Sequence, residues 1–203
     1  MKTKGLEKKR PDRVKTENLL LKTAVEIFAK EGFEATSVHM LAEKSGVNVS
    51  LINRYFGGKE GLLNAITERA FSEVNKRSHS YDQQENFKKE LLKYSKAEME
   101  YYKIHEDIMK IFIQQSIVNK NFRKKLQRLL YENQVDEFLM KRIESLQKSK
   151  KIHKKIKSKD LQLGVAFQIF CQLIVSRFIL DLPDEDTAQL LELYIEMITN
   201  QEG

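Results

Sequence analysis

The stretch from Ser37 to Phe56, Ser-Val-His-Met-Leu-Ala-Glu-Lys-Ser-Gly-Val-Asn-Val-Ser-Leu-Ile-Asn-Arg-Tyr-Phe, holds the side chains with the clearest chemical capacity in the chain. Val49, Ser50, Leu51, Asn53 and Arg54 crowd together just after Asn48, a helix-capping residue type. Their types suit the edges of base pairs: arginine matches the two acceptors of guanine, asparagine the donor and acceptor of adenine, and valine or leucine the methyl of thymine. Thr36, Ser37, Asn48, Tyr55 and Lys59 flank them. Hydroxyl, amide and ammonium groups beside a helix N-terminus are suited to holding phosphates, which sets register rather than sequence. The plain alternative is a small three-helix motif whose polar residues face water.

Catalytic chemistry has much thinner support. His39, His79, His105 and His153 lie on separate segments, and none forms a His-x3-His or Glu-x2-His pair. No glycine-rich phosphate loop is present, and the single cysteine, Cys171, stands among apolar neighbours, so no cofactor or metal site is expected. An all-helical enzyme is the weakest reading. No apolar run reaches the roughly 18 residues of a membrane span, and the lysine-rich start lacks the features of a signal peptide, which makes a cytoplasmic location the expectation.

Reading side chains must be carried by elements that hold them at a fixed angle. With two prolines and eight glycines in 203 residues, the chain favours long helices and an all-α fold of about nine. A first helix runs from about Lys15 to Lys30 with Leu20, Ala24, Ile27 and Phe28 on one face. A second is capped by Ser37 or Thr36, presents Val38, Leu41 and Ala42 inward, and ends at Gly46. The third runs from Asn48 to about Tyr55, with Ile52 and Phe56 inward. Ala42 is small where helices must approach, Gly46 suits a tight turn, and Val47 and Ile52 wedge the pair, as a helix-turn-helix requires. Lys59 opens a fourth helix carrying Leu62, Leu63, Ile66, Ala70, Phe71 and Val74. Five more are expected over 84–104, 106–118, 122–148, 159–180 and 184–200.

The net charge of +7 permits a polyanionic partner, and its placement is more informative than its size. Lys2, Lys4, Lys8, Lys9, Arg10, Arg13 and Lys15 face only Glu7 and Asp12 in the first fifteen residues, so 1–14 reads either as a basic arm along phosphates or as a solvated tail. Residues 148–159 contain seven lysines and no acid, which predicts an exposed loop in preference to a second DNA contact.

The string with Leu20, Ala24, Ile27-Phe28, Gly32-Phe33, Thr36-Ser37, Leu41-Ala42, Gly46-Val47, Ile52, Tyr55-Phe56 and Lys59-Glu60-Gly61-Leu62-Leu63 resembles the DNA-binding domain of tetracycline-repressor-type (TetR/AcrR) regulators. It covers roughly the first third of the chain, and its most specific part is the aromatic pair followed by Lys-Glu at a helix start. Two positions depart from common family choices: Asn53 stands where many members have tyrosine, and Leu51 where a small polar residue is common. Both face DNA in the family's docking mode, which leaves the operator sequence open.

The resemblance implies a helix-turn-helix DNA-binding domain over 15–76 and a helical ligand-binding and dimerisation domain over 77–203. It further implies a homodimer on a pseudopalindromic operator and a small, largely apolar effector that releases a repressor from DNA. A C-terminal domain that only dimerises or takes a protein partner is the alternative. For the dimer the candidates are Phe167, Phe170, Ile174, Phe178, Leu190, Leu191, Tyr194 and Ile198, because the last two helices are apolar on more faces than one subunit needs. For a pocket they are Tyr101, Tyr102, His105, Met109, Phe112, Ile113, Gln114, Phe138, Arg142, Phe167 and Phe170, mostly apolar with a few polar groups. Plain core packing is the competing reading for each of these. His105 and Arg142 carry the added question of what would pair a buried cation.

Overall fold

The structure is a computed structural model that describes residues 11–76, 86–133, 137–149 and 157–199. All the regular elements among them are helical: α1 (Pro11–Glu31), α2 (Val38–Ser45), α3 (Val49–Phe56), α4 (Lys59–Lys76), α5 (Phe87–Ile104), α6 (Glu106–Val118), α7 (Lys120–Asn133), α8 (Glu137–Lys148), α9 (Ser158–Ile174) and α10 (Asp184–Thr199), with a π-helical segment at Val175–Ile179. The all-α expectation holds. The single helix expected over 122–148 is described as two, α7 and α8, and residues 134–136 between them lie outside the described set.

The chain divides into two compact units, and the division differs from the expected cut near residue 76. Among the described residues the first unit comprises 11–74 and 106–126, and the second comprises 75–76, 86–105, 127–133, 137–149 and 157–199. Helix α6 therefore belongs with the N-terminal helices, packing on α1. Its sequence explains this: Met109, Ile111 and Phe112 are buried, so α6 supplies an apolar surface to whichever unit it joins. The Phe112 ring stacks on Phe71 of α4 at 6.2 Å and lies 5.9 Å from Phe122 of α7. Periodicity marked α6 as amphipathic but held no information about which unit it would complete.

Helix α1 begins at Pro11, so 11–14 form its first turn and are not part of an arm, while 1–10 lie outside the described residues. Proline is favoured at that position, since its ring presets φ and its missing N–H would have no intrahelical partner. Leu20, Ala24 and Phe28 are fully buried, and the Phe28 ring meets Phe33 edge-on at 5.0 Å.

In the second unit Leu91 and Tyr94 of α5, Ile143 of α8, Ile169 and Leu173 of α9, and Leu191 and Ile195 of α10 form one core, with Tyr102 and Tyr194 packed against it. The helix expected over 159–180 changes character at Val175. There the Leu180 N–H bonds the Val175 carbonyl, the Leu182 N–H bonds the Ser176 carbonyl, and Asp181 takes φ +50°. A wider turn of this kind rotates the following side chains relative to a straight α-helix. Most of the run at 148–159 lies outside the described residues.

Candidate nucleic-acid interface

The turn between α2 and α3 is built from local chemistry. Ser37 caps α2, its Oγ accepting from the Met40 N–H at 3.1 Å, and Asn48 caps α3, its Oδ1 accepting from the Ser50 N–H at 2.8 Å. Each cap satisfies an amide that the helix cannot, and contributes about 1 kcal/mol. Between them Gly46 takes φ +68°, a backbone conformation that an L side chain strains. Leu41 and Ile52 are fully buried, and these two anchors set the angle at which α3 leaves the unit. The Gly57 N–H closes α3 on the Asn53 carbonyl at 2.8 Å.

With Ile52 turned inward, the side chains expected to read bases lie on the remaining sides of α3. Ser50, Asn53 and Arg54 are exposed, and Val49, Leu51 and Tyr55 are half-buried. Five side chains expected to read bases thus occur on one short, doubly capped helix, with Ser37 and Asn48 exposed at the two helix starts. The caps use only one side of each group: the hydroxyl hydrogen of Ser37 and the amide nitrogen of Asn48 are not consumed by these bonds.

Two of the flanking residues expected to contact phosphate are engaged within the unit. Thr36 is buried, and its hydroxyl donates to the Gly32 carbonyl at 2.7 Å, while its N–H bonds the Phe33 carbonyl at 3.3 Å. It fastens the link from α1 to α2. The Lys59 ammonium donates to the carbonyls of Phe33 at 3.0 Å and Glu34 at 3.3 Å, and stands 4.6 Å above the Phe33 ring. Lysine at a helix start in a basic, polar segment resembles a phosphate ligand in sequence. Only the fold brings it to carbonyls 26 and 25 residues earlier.

Gly61 and Arg13 carry roles that the sequence did not single out. A Cβ on Gly61 would overlap the Phe56 carbonyl and lie 3.3 Å from the Phe56 Cα, so the missing side chain lets the first turn of α4 press against the end of α3. The Arg13 guanidinium lies 5.0 Å from the centre of the Tyr55 ring and its Nε donates to Glu17 at 2.8 Å, which ties the first turn of α1 to the recognition face. An arginine reaching an aromatic 42 positions later leaves no local signature.

The pocket candidates divide between the units. Met109 and Phe112 are buried and Ile113 half-buried in the first unit, where Phe112 is bracketed by aromatic rings, and Gln114 is exposed. In the second unit Tyr101 and Tyr102 are half-buried, His105 ends α5 with its ring 4.3 Å from Tyr101, and Phe170 meets Tyr102 edge-on at 5.5 Å. Phe167 is 67% exposed, so it does not line an interior. The side chain of Phe138 is outside the described set.

Arg142 has a buried partner, Glu90, whose Oε2 accepts from the Arg142 Nε at 2.9 Å. Glu90 is fully buried, and its Oε1 has no hydrogen-bond partner among the described residues. An orphaned buried acceptor of this kind costs on the order of 1–3 kcal/mol. Glu90 passed unnoticed in the sequence because a glutamate in a lysine-rich stretch reads as surface.

Of the dimer candidates, Leu191 is a correction: at 2% exposure it belongs to the core of its own unit. Phe167 and Leu190 are exposed, Phe170, Ile174, Phe178 and Tyr194 are half-buried, and the Ile198 side chain is outside the described set. Ile179 and Leu193 are exposed apolar residues of the same segments. Among the described residues no group of three or more His, Cys, Asp or Glu side chains is placed to hold a metal ion, and no helix is long and apolar enough to cross a membrane.

A helix-turn-helix among described elements that are all helical is the class that the fold defines. Residues 20–66 match the family model described as bacterial regulatory proteins, tetR family, and this segment is similar to that family's members. It is 34% identical over 64 residues to YttP of Bacillus subtilis, described as an HTH-type transcriptional regulator, spanning 32% of this chain and 31% of that protein. It is 32% identical over 71 residues to the HTH-type transcriptional repressor NicS of Pseudomonas putida, spanning 35% and 32%. These matches thus cover about a third of each curated relative. The fold likeness extends further: the fatty acid degradation regulator FadR from Bacillus halodurans superposes with a TM-score of 0.72 at 14% identity, over 97% of this chain and 98% of that one.

Proposed function

We propose that this protein is a transcriptional repressor that binds a pseudopalindromic operator as a homodimer, inserting α3 into the major groove, and that a small, largely apolar effector held by its C-terminal unit releases it. The observation that carries the reading is the exposed face of α3. Ser50, Asn53 and Arg54 are held outward by buried Ile52, with Val49 and Leu51 beside them, on a helix capped at both ends. Side chains near the start of such a helix reach base edges.

Phosphate contacts fall to Ser37, Asn48 and Tyr55, with Thr36 and Lys59 holding the frame. Exposed Phe167, Ile179, Leu190 and Leu193 support self-association, because apolar side chains of this size on adjacent segments favour being covered by a second copy. Two recognition helices about one DNA turn apart then read two half-sites. The cytoplasm is where such a protein meets its operator.

Selection of bound sequences from random DNA with the full-length chain tests the reading. The expected product is an inverted repeat bound with a steep inverse dependence on salt. Recovery of no enriched sequence, or of a single unrepeated half-site, overturns it.

A further inference from the structure

We infer that Glu90 is the polar anchor of a small-molecule site in the C-terminal unit, and that the molecule it takes presents a nitrogen donor, an ammonium group foremost. This rests on the reading of that unit as the one that holds an effector.

The argument starts from the pairing of Glu90. A carboxylate offers acceptor sites on both oxygens, and an arginine facing it squarely fills both with two N–H groups. Here the Arg142 Nε donates to Oε2, and Oε1 is buried with no hydrogen-bond partner among the described residues. Arg142 is itself mostly buried, with 13% of its side chain exposed. The arginine therefore balances the charge of Glu90 while leaving one acceptor unused.

The surroundings sharpen the chemistry. Glu90, Tyr94 and Glu98 follow one another at four-residue steps on the buried face of α5, inside a unit whose core is otherwise Leu91, Ile143, Ile169, Leu173, Leu191 and Ile195. The unused Glu90 oxygen can only accept, so it calls for a donating group, and a carboxylate placed there would meet a like charge. An apolar body beside one polar contact is the usual composition of a small-ligand site. Sequence placed Arg142 as the cation in search of a partner. The structure reverses the roles, since Arg142 is satisfied by Glu90 and the unsatisfied group is the acid.

The test uses the full-length protein and three probes of equal chain length: hexylammonium, hexanol and hexanoate. Calorimetric titration and thermal unfolding are expected to show hexylammonium binding and stabilising the protein, hexanol weaker, and hexanoate without effect. Glu90→Gln replaces the acceptor and its charge and is expected to weaken hexylammonium at least about tenfold, the loss typical of a charge-assisted hydrogen bond. No binding of hexylammonium to the wild-type protein overturns the inference, because Oε1 then holds at most a water. Equal or tighter binding of hexanoate overturns it as well, and this comparison needs no variant, so it decides even where Glu90→Gln does not fold. Undiminished hexylammonium binding to folded Glu90→Gln also overturns it. Operator affinity measured with hexylammonium bound separates the two readings: unchanged affinity leaves the site in place and removes its effector role.

Discussion

Replacing Lys59 with methionine separates a latch from a phosphate ligand. The Lys59 side chain is 20% exposed, and its ammonium donates to the Phe33 and Glu34 carbonyls at 3.0 and 3.3 Å. A hydrogen bond to a charged group contributes about 1.5–3 kcal/mol. Two facts reduce the total below twice that value. The Phe33 carbonyl keeps a bond from the Thr36 N–H, and Glu34 is exposed, so water can reach its carbonyl. The Glu34 carboxylate lies 4.0 Å away with 72% of its side chain exposed, and contributes next to nothing. The cation above the Phe33 ring adds about 0.5–1 kcal/mol, and methionine preserves the packing of the stem. The sum is a loss of about 2 kcal/mol in holding the link between α1 and α2, or about thirtyfold in its opening equilibrium. Hydrogen exchange of the Thr36 amide in the full-length protein reads this directly. Protection unchanged within about twofold, together with a fall of about 0.9 in the salt slope of operator binding, would show Lys59 to be a phosphate contact and refute the latch.

Gly61→Ala is expected to cost about 1–3 kcal/mol, since the new Cβ meets the Phe56 backbone and a helix end must move; thermal unfolding like that of wild type would remove the close approach. The double-mutant cycle of Arg13→Ala and Tyr55→Leu should return a coupling of about 0.5–1 kcal/mol in stability, whereas additive losses would mean that the stacking contributes nothing. In the second unit the Lys103 ammonium bonds Asp184 at 2.6 Å, and this bond holds the Asp184 carboxyl below its ordinary 3.8 and the Lys103 ammonium above its ordinary 10.5. Its contribution is full between those two ordinary values, and is lost as pH falls through the lowered Asp184 value or rises through the raised Lys103 value. Asp184→Asn should therefore flatten the acid limb of the stability profile, and an Asp184 carboxyl that titrates at its ordinary value in NMR would contradict this. Phe167→Glu, at a side chain 67% exposed, should shift sedimentation from dimer to monomer while leaving helicity intact; an unchanged dimer places the interface elsewhere.

The reading surface could be recognised from residue types alone because it is local. Caps, a turn glycine and a 3.6-residue stripe are statements about neighbours within a few positions, and Ser37, Gly46, Asn48 and Ile52 took the places their types favour. The outward set Val49, Ser50, Leu51, Asn53 and Arg54 follows from the inward set by helical geometry. So does the all-helical class, from the scarcity of proline and glycine.

Roles that depend on distant partners were not available in that way. Lys59 and Thr36 resemble phosphate contacts until the link at 32–34 is folded against them. Leu191 and Leu190 are adjacent and equally apolar, yet one is core and the other exposed, because neighbouring positions on a helix lie about 100° apart and only packing chooses the side. Helix α6 joined the N-terminal unit although it follows α5 in the chain, a choice made by aromatic contacts with Phe71 and Phe122. Glu90 became a candidate anchor only when burial stripped it of water and left one oxygen without a donor. Periodicity determines which residues share a face, whereas the partner that covers the face, and the polar atom left over when it does, belong to the fold.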